Sequence, residues 1–209
     1  MGDQTRAAKL WIALLAAVCL CGCARSGSTA EQSRPADSGK ETPSMYLRSP
    51  AFPSDPSTSG ATGSTIPAKY AMRTVPGGSN VSIPYAWSDA PATTKSFVLV
   101  LSDAAPMAHD WVHWAVADIP ASSAGLPEGA SGTDAMPPGA REFGNTFGFA
   151  GYGGPQPPVG SGAHPYVATL YALDVAHLAL PQAPTAAQLE RACASHALAR
   201  ATCVGRFGR

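Results

Sequence analysis

Along this chain the apolar positions gather into a few dense runs separated by long polar stretches. The first run is Leu10–Leu20, LWIALLAAVCL, preceded by Arg6 and Lys9 and followed by Cys21-Gly22-Cys23. A basic start, a short apolar centre and small residues at its end read as a secretory signal, too short to cross a bilayer. From Ala24 to about Thr65 the pattern vanishes into Ser, Thr, Pro, Gly and Ala, with Met45, Tyr46, Leu47 and Phe52 the sizeable apolar groups. Such a stretch buries too little to offset its ordering entropy and is expected to be a disordered tether reaching about 35 Å. The alternative is that Met45–Phe52 forms a short element docked on the domain that follows.

From Ile66 onward the pattern is that of strands. Tyr70–Arg73 is a short candidate ended by Pro76-Gly77-Gly78. Ser96–Leu101 is a nearly unbroken run of β-branched and aromatic residues, as in a strand buried on both faces. Trp111–Ile119 is another, stopped by Pro120, and Tyr166–Leu173 and Ala197–Phe207 follow. One helix is predicted after Thr185 as N-cap, with Gln188 at the capping-box position. Long Gly/Pro loops lie between, at Ser122–Gly139 and Gly144–Gly162.

Composition narrows the class. Gly and Pro number 21 and 20 in 209 residues, a density of breakers that helix bundles do not tolerate. Lys+Arg and Asp+Glu are both 14, so no basic excess points to nucleic acid. The expected organisation is a signal over 1–22, a tether over 23–65 and a single β-rich domain over 66–209. Cys193 and Cys203, the cysteines beyond that signal region, leave a disulfide open.

Leu20-Cys21-Gly22-Cys23 resembles the bacterial lipobox. The resemblance implies cleavage before Cys23, a thioether lipid on its sulfur and an acyl chain such as palmitate on the new N-terminus. The alternative is an ordinary signal cut near Gly22 or Ala24. With lipidation, the protein is exported and membrane-anchored on the periplasmic side, and Ala24 after the cysteine favours the outer membrane where there is one.

The loop at Gly144–Gly162 carries the chemistry. Its glycines let a backbone approach a ligand closely, while Pro155, Pro157 and Pro158 stiffen it. Tyr152-Gly153-Gly154-Pro155, Pro157-Pro158, Gly160, Gly162, His164, Tyr166 and then Leu170-Tyr171-Ala172-Leu173-Asp174 resemble the signature of the phosphatidylethanolamine-binding proteins, in their bacterial Raf-kinase-inhibitor-like branch. Gly77-Gly78-Ser79-Asn80-Val81-Ser82 with Trp87-Ser88, Val112-His113-Trp114 and Gly144-Asn145 with Phe147-Gly148 extend the likeness from Ile66 to Arg209. It implies an antiparallel, sandwich-like β fold with a large central sheet, a smaller sheet and one or two short helices.

The family likeness also implies a pocket lined by Asp103, His113, Pro157, Pro158, His164 and Tyr166, with Trp111 on its rim, for phosphate-type head groups such as phosphoethanolamine. Two imidazoles, a phenol and the N–H groups of Gly153 and Gly154 are suitable donors to such an anion. Anion affinity is expected to rise as pH falls through the imidazole range, near ~6.5, if the pocket carboxylate outweighs burial. There are departures. The family's acidic turn is shortened to Leu101-Ser102-Asp103-Ala104-Ala105-Pro106, so either Asp103 or Ser102 holds the pocket-acid position. Strand alternation favours Asp103. Pro165 stands where the family usually has Arg, Gln156 where its bacterial members often have Cys, and Phe207 where Tyr is frequent.

One string competes. His109-Asp110-Trp111-Val112-His113 is close to a zincin motif, whose chemistry needs both histidines on one helix face. Pro106 upstream and the β-rich run favour a strand instead. The expectation is a non-catalytic, lipid-tethered binder of small anions, with no cofactor or metal. Alternatives are an interaction module whose pocket rim docks a kinase or protease, and a hydrolase working through the two histidines. A homodimer fits as well as a monomer.

Overall fold

The computed structural model describes residues 44–52 and 64–209. Those residues form nine strands, β1 (Tyr46–Arg48), β2 (Ser64–Thr65), β3 (Tyr85–Ser88), β4 (Ser96–Asp103), β5 (Trp111–Pro120), β6 (Gly125–Leu126), β7 (Arg141–Glu142), β8 (His164–Leu173) and β9 (Ala197–Phe207), with one helix, α1 (Ala186–Ala194). A six-stranded sheet runs in the order β2-β9-β8-β4-β5-β7, and a three-stranded sheet in the order β1-β3-β6. Every pairing is antiparallel except β2 with β9. The expected fold class is therefore present, with one α-helix and two 3-10 turns, Ala68–Tyr70 and Pro106–Ala108.

β4 sits in the middle because its centre, Phe97–Leu101, is an unbroken apolar run. By alternation Phe97, Leu99 and Leu101 enter one core with Trp114, Tyr166, Leu170 and the small sheet's Trp87. Val98 and Val100 face the other way, onto Tyr171, Leu189 and Cys193 beneath α1. That helix starts as its sequence dictates. The Thr185 hydroxyl accepts from the Gln188 N–H, and the Gln188 side chain accepts from the Thr185 N–H.

Two expectations are corrected and one question left open by the sequence is answered. The tether boundary at 65 is too late, because Met45, Leu47 and Phe52 are buried in the main core and β1 pairs with β3, Leu47 opposite Trp87. β2 likewise adds to the sheet beside Gly205 and Arg206. Apolar groups too sparse to fold alone are buried here by a distant partner. Tyr70–Arg73 is not a strand: Tyr70 closes a 3-10 turn, and the segment's bonds go to loops, Asn80 N–H to Ala71 O and Met72 N–H to Pro155 O. A disulfide between Cys193 and Cys203 is absent, since they lie in cores on opposite faces of the large sheet. The signal, Cys23 and the tether up to residue 43 lie outside the described residues, as do 53–63.

Candidate ligand pocket

The pocket opens at the edge where β4 and β9 end and β5 and β8 begin. Asp103 is opposite Trp111 on one side and Tyr166 on the other, and His164 lies one alternation from Tyr166. His113 reaches the same face by a bulge. Leu101 pairs with Trp114 and Ser102 with Val112, leaving His113 as the extra residue, so His113 and Trp114 both turn to the face of Asp103. The resulting cavity of about 360 Å³ is lined by Asp103, Trp111, His113, Pro157, Pro158, His164 and Tyr166 together with Met107, Ala108, Phe147 and Gln156. All seven residues named from the sequence are thus brought together. Ser102 points to the opposite face, into a smaller hollow beside Tyr171 and Arg200 under α1, so Asp103 is the acid of this cavity.

The loop is held by its own polar groups. Asn145 accepts from the Phe147 and Phe149 N–H groups and donates to Gly151 O. Gly154 lies so close to the chain at Tyr70 that a Cβ there would stand 2.2 Å from the Tyr70 carbonyl oxygen. Its N–H donates to Asn80 Oδ1, and that of Gly153 to the His113 carbonyl. These two N–H groups are therefore engaged within the protein and are not the ligand donors the sequence suggested.

The two histidines are wired differently. His113 Nδ1 lies 2.7 Å from Gly153 O and must carry the proton there, because a carbonyl only accepts; this leaves Nε2 for the cavity. Burial pushes the His113 imidazole below its usual range, outweighing the Gly153 carbonyl and the field of Asp103. The expectation that the carboxylate would dominate fails at this residue, which is 3% exposed. His164 has both nitrogens engaged, Nδ1 with Asp103 Oδ2 at 2.7 Å and Nε2 with Ser161 Oγ at 3.0 Å. The other Asp103 oxygen accepts from the Ala105 N–H.

Two donors remain. Among the described residues, Trp111 Nε1 and the Tyr166 hydroxyl are the buried side-chain polar atoms without a hydrogen-bond partner, and both residues line this cavity. Burial pushes the Tyr166 phenol upward, with the Asp103 carboxylate adding to it, so the hydroxyl keeps its proton. The aromatic rings brace one another. His113 meets Tyr166 and Phe147 edge-on at 5.1 and 5.3 Å, and Trp111 meets Phe147 at 5.3 Å. His109 and Asp110 adopt left-handed conformations in the turn before β5, so the zincin-like string spans a turn and a strand rather than a helix face.

A sequence model described as phosphatidylethanolamine-binding protein matches residues 56–208. The chain belongs to the phosphatidylethanolamine-binding protein family. Within it, the chain is 39% identical over 132 residues to the UPF0098 protein YbhB of Escherichia coli K12, covering 62% of this chain and 83% of that one. It is 37% identical over 147 residues to a Mycobacterium tuberculosis H37Rv protein named "Putative lipoprotein LppC", covering 70% of this chain and 68% of that one. The crystal structure of E. coli YbcL, described as a new member of the mammalian PEBP family, superposes with a TM-score of 0.68 at 28% identity, over 79% of this chain and 98% of that one.

Against the family pattern, sequence reasoning missed several wall residues of this member. Gln156 lines the cavity and ties its amide to Thr74 Oγ1, and Met107 and Ala108 enter from the 3-10 turn after β4. Arg209 reaches the wall through its Nε, which donates to Pro157 O. Ser161 was visible in the motif as the residue between Gly160 and Gly162, but nothing in the sequence shows that its hydroxyl meets His164.

Proposed function

We propose that this protein binds small phosphate-type anions, including phospholipid head groups, in the cavity at the end of β4, β5 and β8, and does so without chemistry on the bound anion. One observation carries the reading: the buried Trp111 N–H and Tyr166 O–H are unpartnered and line one cavity. A buried polar group left unsatisfied costs about 1–3 kcal/mol, and an acceptor-rich ligand removes that cost for both at once. Family membership supports the same class of ligand. The lipobox-like Leu20–Cys23 and the lipoprotein name of a relative support export and anchoring through Cys23, and such an anchor would keep the protein at a membrane surface.

Titration calorimetry of the mature protein with phosphoethanolamine and with inorganic phosphate tests this. Saturable binding is expected, weakened about tenfold in Trp111→Phe, which loses one donor. No heat with either ligand, or equal affinity in the variant, overturns the reading. Cys23→Ala is expected to move the protein from the membrane to the soluble fraction.

A second reading has its own support. Met107, Phe149 and Val159 are exposed large apolar side chains; Met107 lines the cavity, Val159 follows Pro158, and Phe149 stacks on Phe147. Such a rim suits a protein partner whose side chain enters the pocket.

A further inference from the structure

Two residues of the cavity wall, Asp103 and His164, also form an arrangement with Ser161, which stands outside that wall. Asp103 Oδ2 lies 2.7 Å from His164 Nδ1, and His164 Nε2 lies 3.0 Å from Ser161 Oγ. A carboxylate that orients an imidazole, whose far nitrogen meets a hydroxyl at hydrogen-bond distance, is the geometry that activates a serine nucleophile. We propose that Ser161 is an activated nucleophile with His164 as its base and Asp103 as the orienting acid, acting on small uncharged carboxylic esters.

The surroundings fit. Asp103 and His164 are buried, so the base is fixed on β4 and β8, while Ser161 is half-exposed in the turn before β8. Gly160 and Gly162 flank it with φ of 78° and 85°, a tight turn that only glycine adopts readily. Apart from chain neighbours, nothing lies within 4 Å of where a Cβ would stand at either glycine, so the turn is open on the side of these two positions. The Ser161 proton rests on Pro158 O at 2.7 Å, and a rotation about Cβ–Oγ redirects it to His164 Nε2. The neighbouring cavity is mostly walled by Pro157, Pro158, Trp111, Phe147 and Met107, which suits the apolar part of an ester.

The reaction balances with water as the only co-reactant. Ser161 Oγ bonds to the ester carbonyl carbon as its proton passes to His164 Nε2 and the carbonyl π pair moves onto oxygen. Collapse of the adduct breaks the ester C–O bond, and the leaving alkoxide takes the proton from His164 to depart as an alcohol. Water then adds to the acyl-serine, giving its proton to His164. Collapse returns that proton to Ser161 and releases the carboxylic acid.

The test uses the mature protein with p-nitrophenyl acetate and, separately, a fluorophosphonate probe, read by intact mass and peptide mapping. The expected result is one adduct per chain, mapped to Ser161, with ester turnover at least about a hundredfold lower in Ser161→Ala. His164→Gln is expected to lose the adduct too, and its melting temperature shows whether it has folded. Labelling that is absent, that maps elsewhere, or that persists in Ser161→Ala overturns the proposal. Phosphate calorimetry on the same wild-type sample keeps the two readings apart. Binding heat without an adduct overturns only the nucleophile, and an adduct without binding heat overturns only the anion site.

Discussion

His113 and Gly153 hold each other by two hydrogen bonds: the Gly153 N–H donates to the His113 carbonyl at 2.8 Å, and His113 Nδ1 donates to the Gly153 carbonyl at 2.7 Å. The glycine-rich loop is thereby clamped to β5 at its bulge. The clamp fixes which imidazole nitrogen faces the cavity and removes the Gly153 N–H from the donors a ligand meets.

That buried imidazole sets an acid limit on stability. Burial holds its pKa below the ordinary value, so the unfolded chain binds a proton near pH ~6.5 that the folded chain does not. Unfolded protein then carries more protons, and stability rises with pH across this window. The contribution is complete above ~6.5 and is lost as pH falls toward the lower folded value, at up to about 1.4 kcal/mol per pH unit. Urea midpoints from about pH 8 to pH 5 are expected to fall accordingly, and His113→Gln is expected to flatten the slope. An unchanged slope in that variant would assign the effect elsewhere.

The first described strand belongs to the core, and its removal is expected to show it. Leu47 is 7% exposed and packs with Met45, Phe52 and Trp87. Leu47→Ala is expected to cost about 2–4 kcal/mol, lowering the melting temperature by roughly 5–15 °C. Deleting residues up to Phe52 removes three such groups and is expected to cost more. Calorimetric scans of both variants measure this, and a truncated chain that melts like the full one would place the segment outside the core.

Ser96–Leu101, Trp111–Ile119 and Tyr166–Leu173 were legible because each is a run rich in strand-forming residues whose burial does not depend on knowing its neighbour. Tyr46–Arg48 was not, because its one buried residue, Leu47, sits in a Ser/Pro-rich stretch and gains its burial opposite Trp87, forty positions away. The cavity was legible only through a family motif. Simple alternation places His113 and Trp114 on opposite faces, and the bulge that brings both to one face exists only in the pairing with Leu101 and Ser102. Ser161 escaped notice for the same reason, since its role depends on how β8 sets His164 against Asp103 on β4.

The two described cysteines are expected to resist thiol reagents. Burial alone pushes the Cys193 thiol up to about 12, leaving almost no thiolate near neutrality, and Cys203 is buried on the other face of the sheet. Peptide mapping after iodoacetamide treatment is expected to find both unmodified in native protein and both modified in denaturant. A Cys193–Cys203 crosslinked peptide, or native labelling at Cys193, would contradict this placement.

Tyr166→Phe is expected to separate stability from binding. The Tyr166 hydroxyl is buried without a hydrogen-bond partner from the protein, so it leaves the fold with an unsatisfied donor. Phenylalanine keeps the ring, its edge contact with His113 and its place opposite Asp103, and removes only that oxygen. The variant is expected to melt at the same temperature as wild type or slightly higher, by about 1 kcal/mol of stability at most. Its affinity for phosphoethanolamine is expected to fall, because the ligand loses the donor that the pocket kept for it. A neutral hydrogen bond is worth about 0.5–1.5 kcal/mol, so the loss is roughly threefold to tenfold. Thermal melts without ligand and calorimetry with it, on the same two proteins, give both quantities. A variant destabilised by more than about 1 kcal/mol would mean the hydroxyl already has a partner within the protein, and unchanged affinity would mean that it does not face the bound anion.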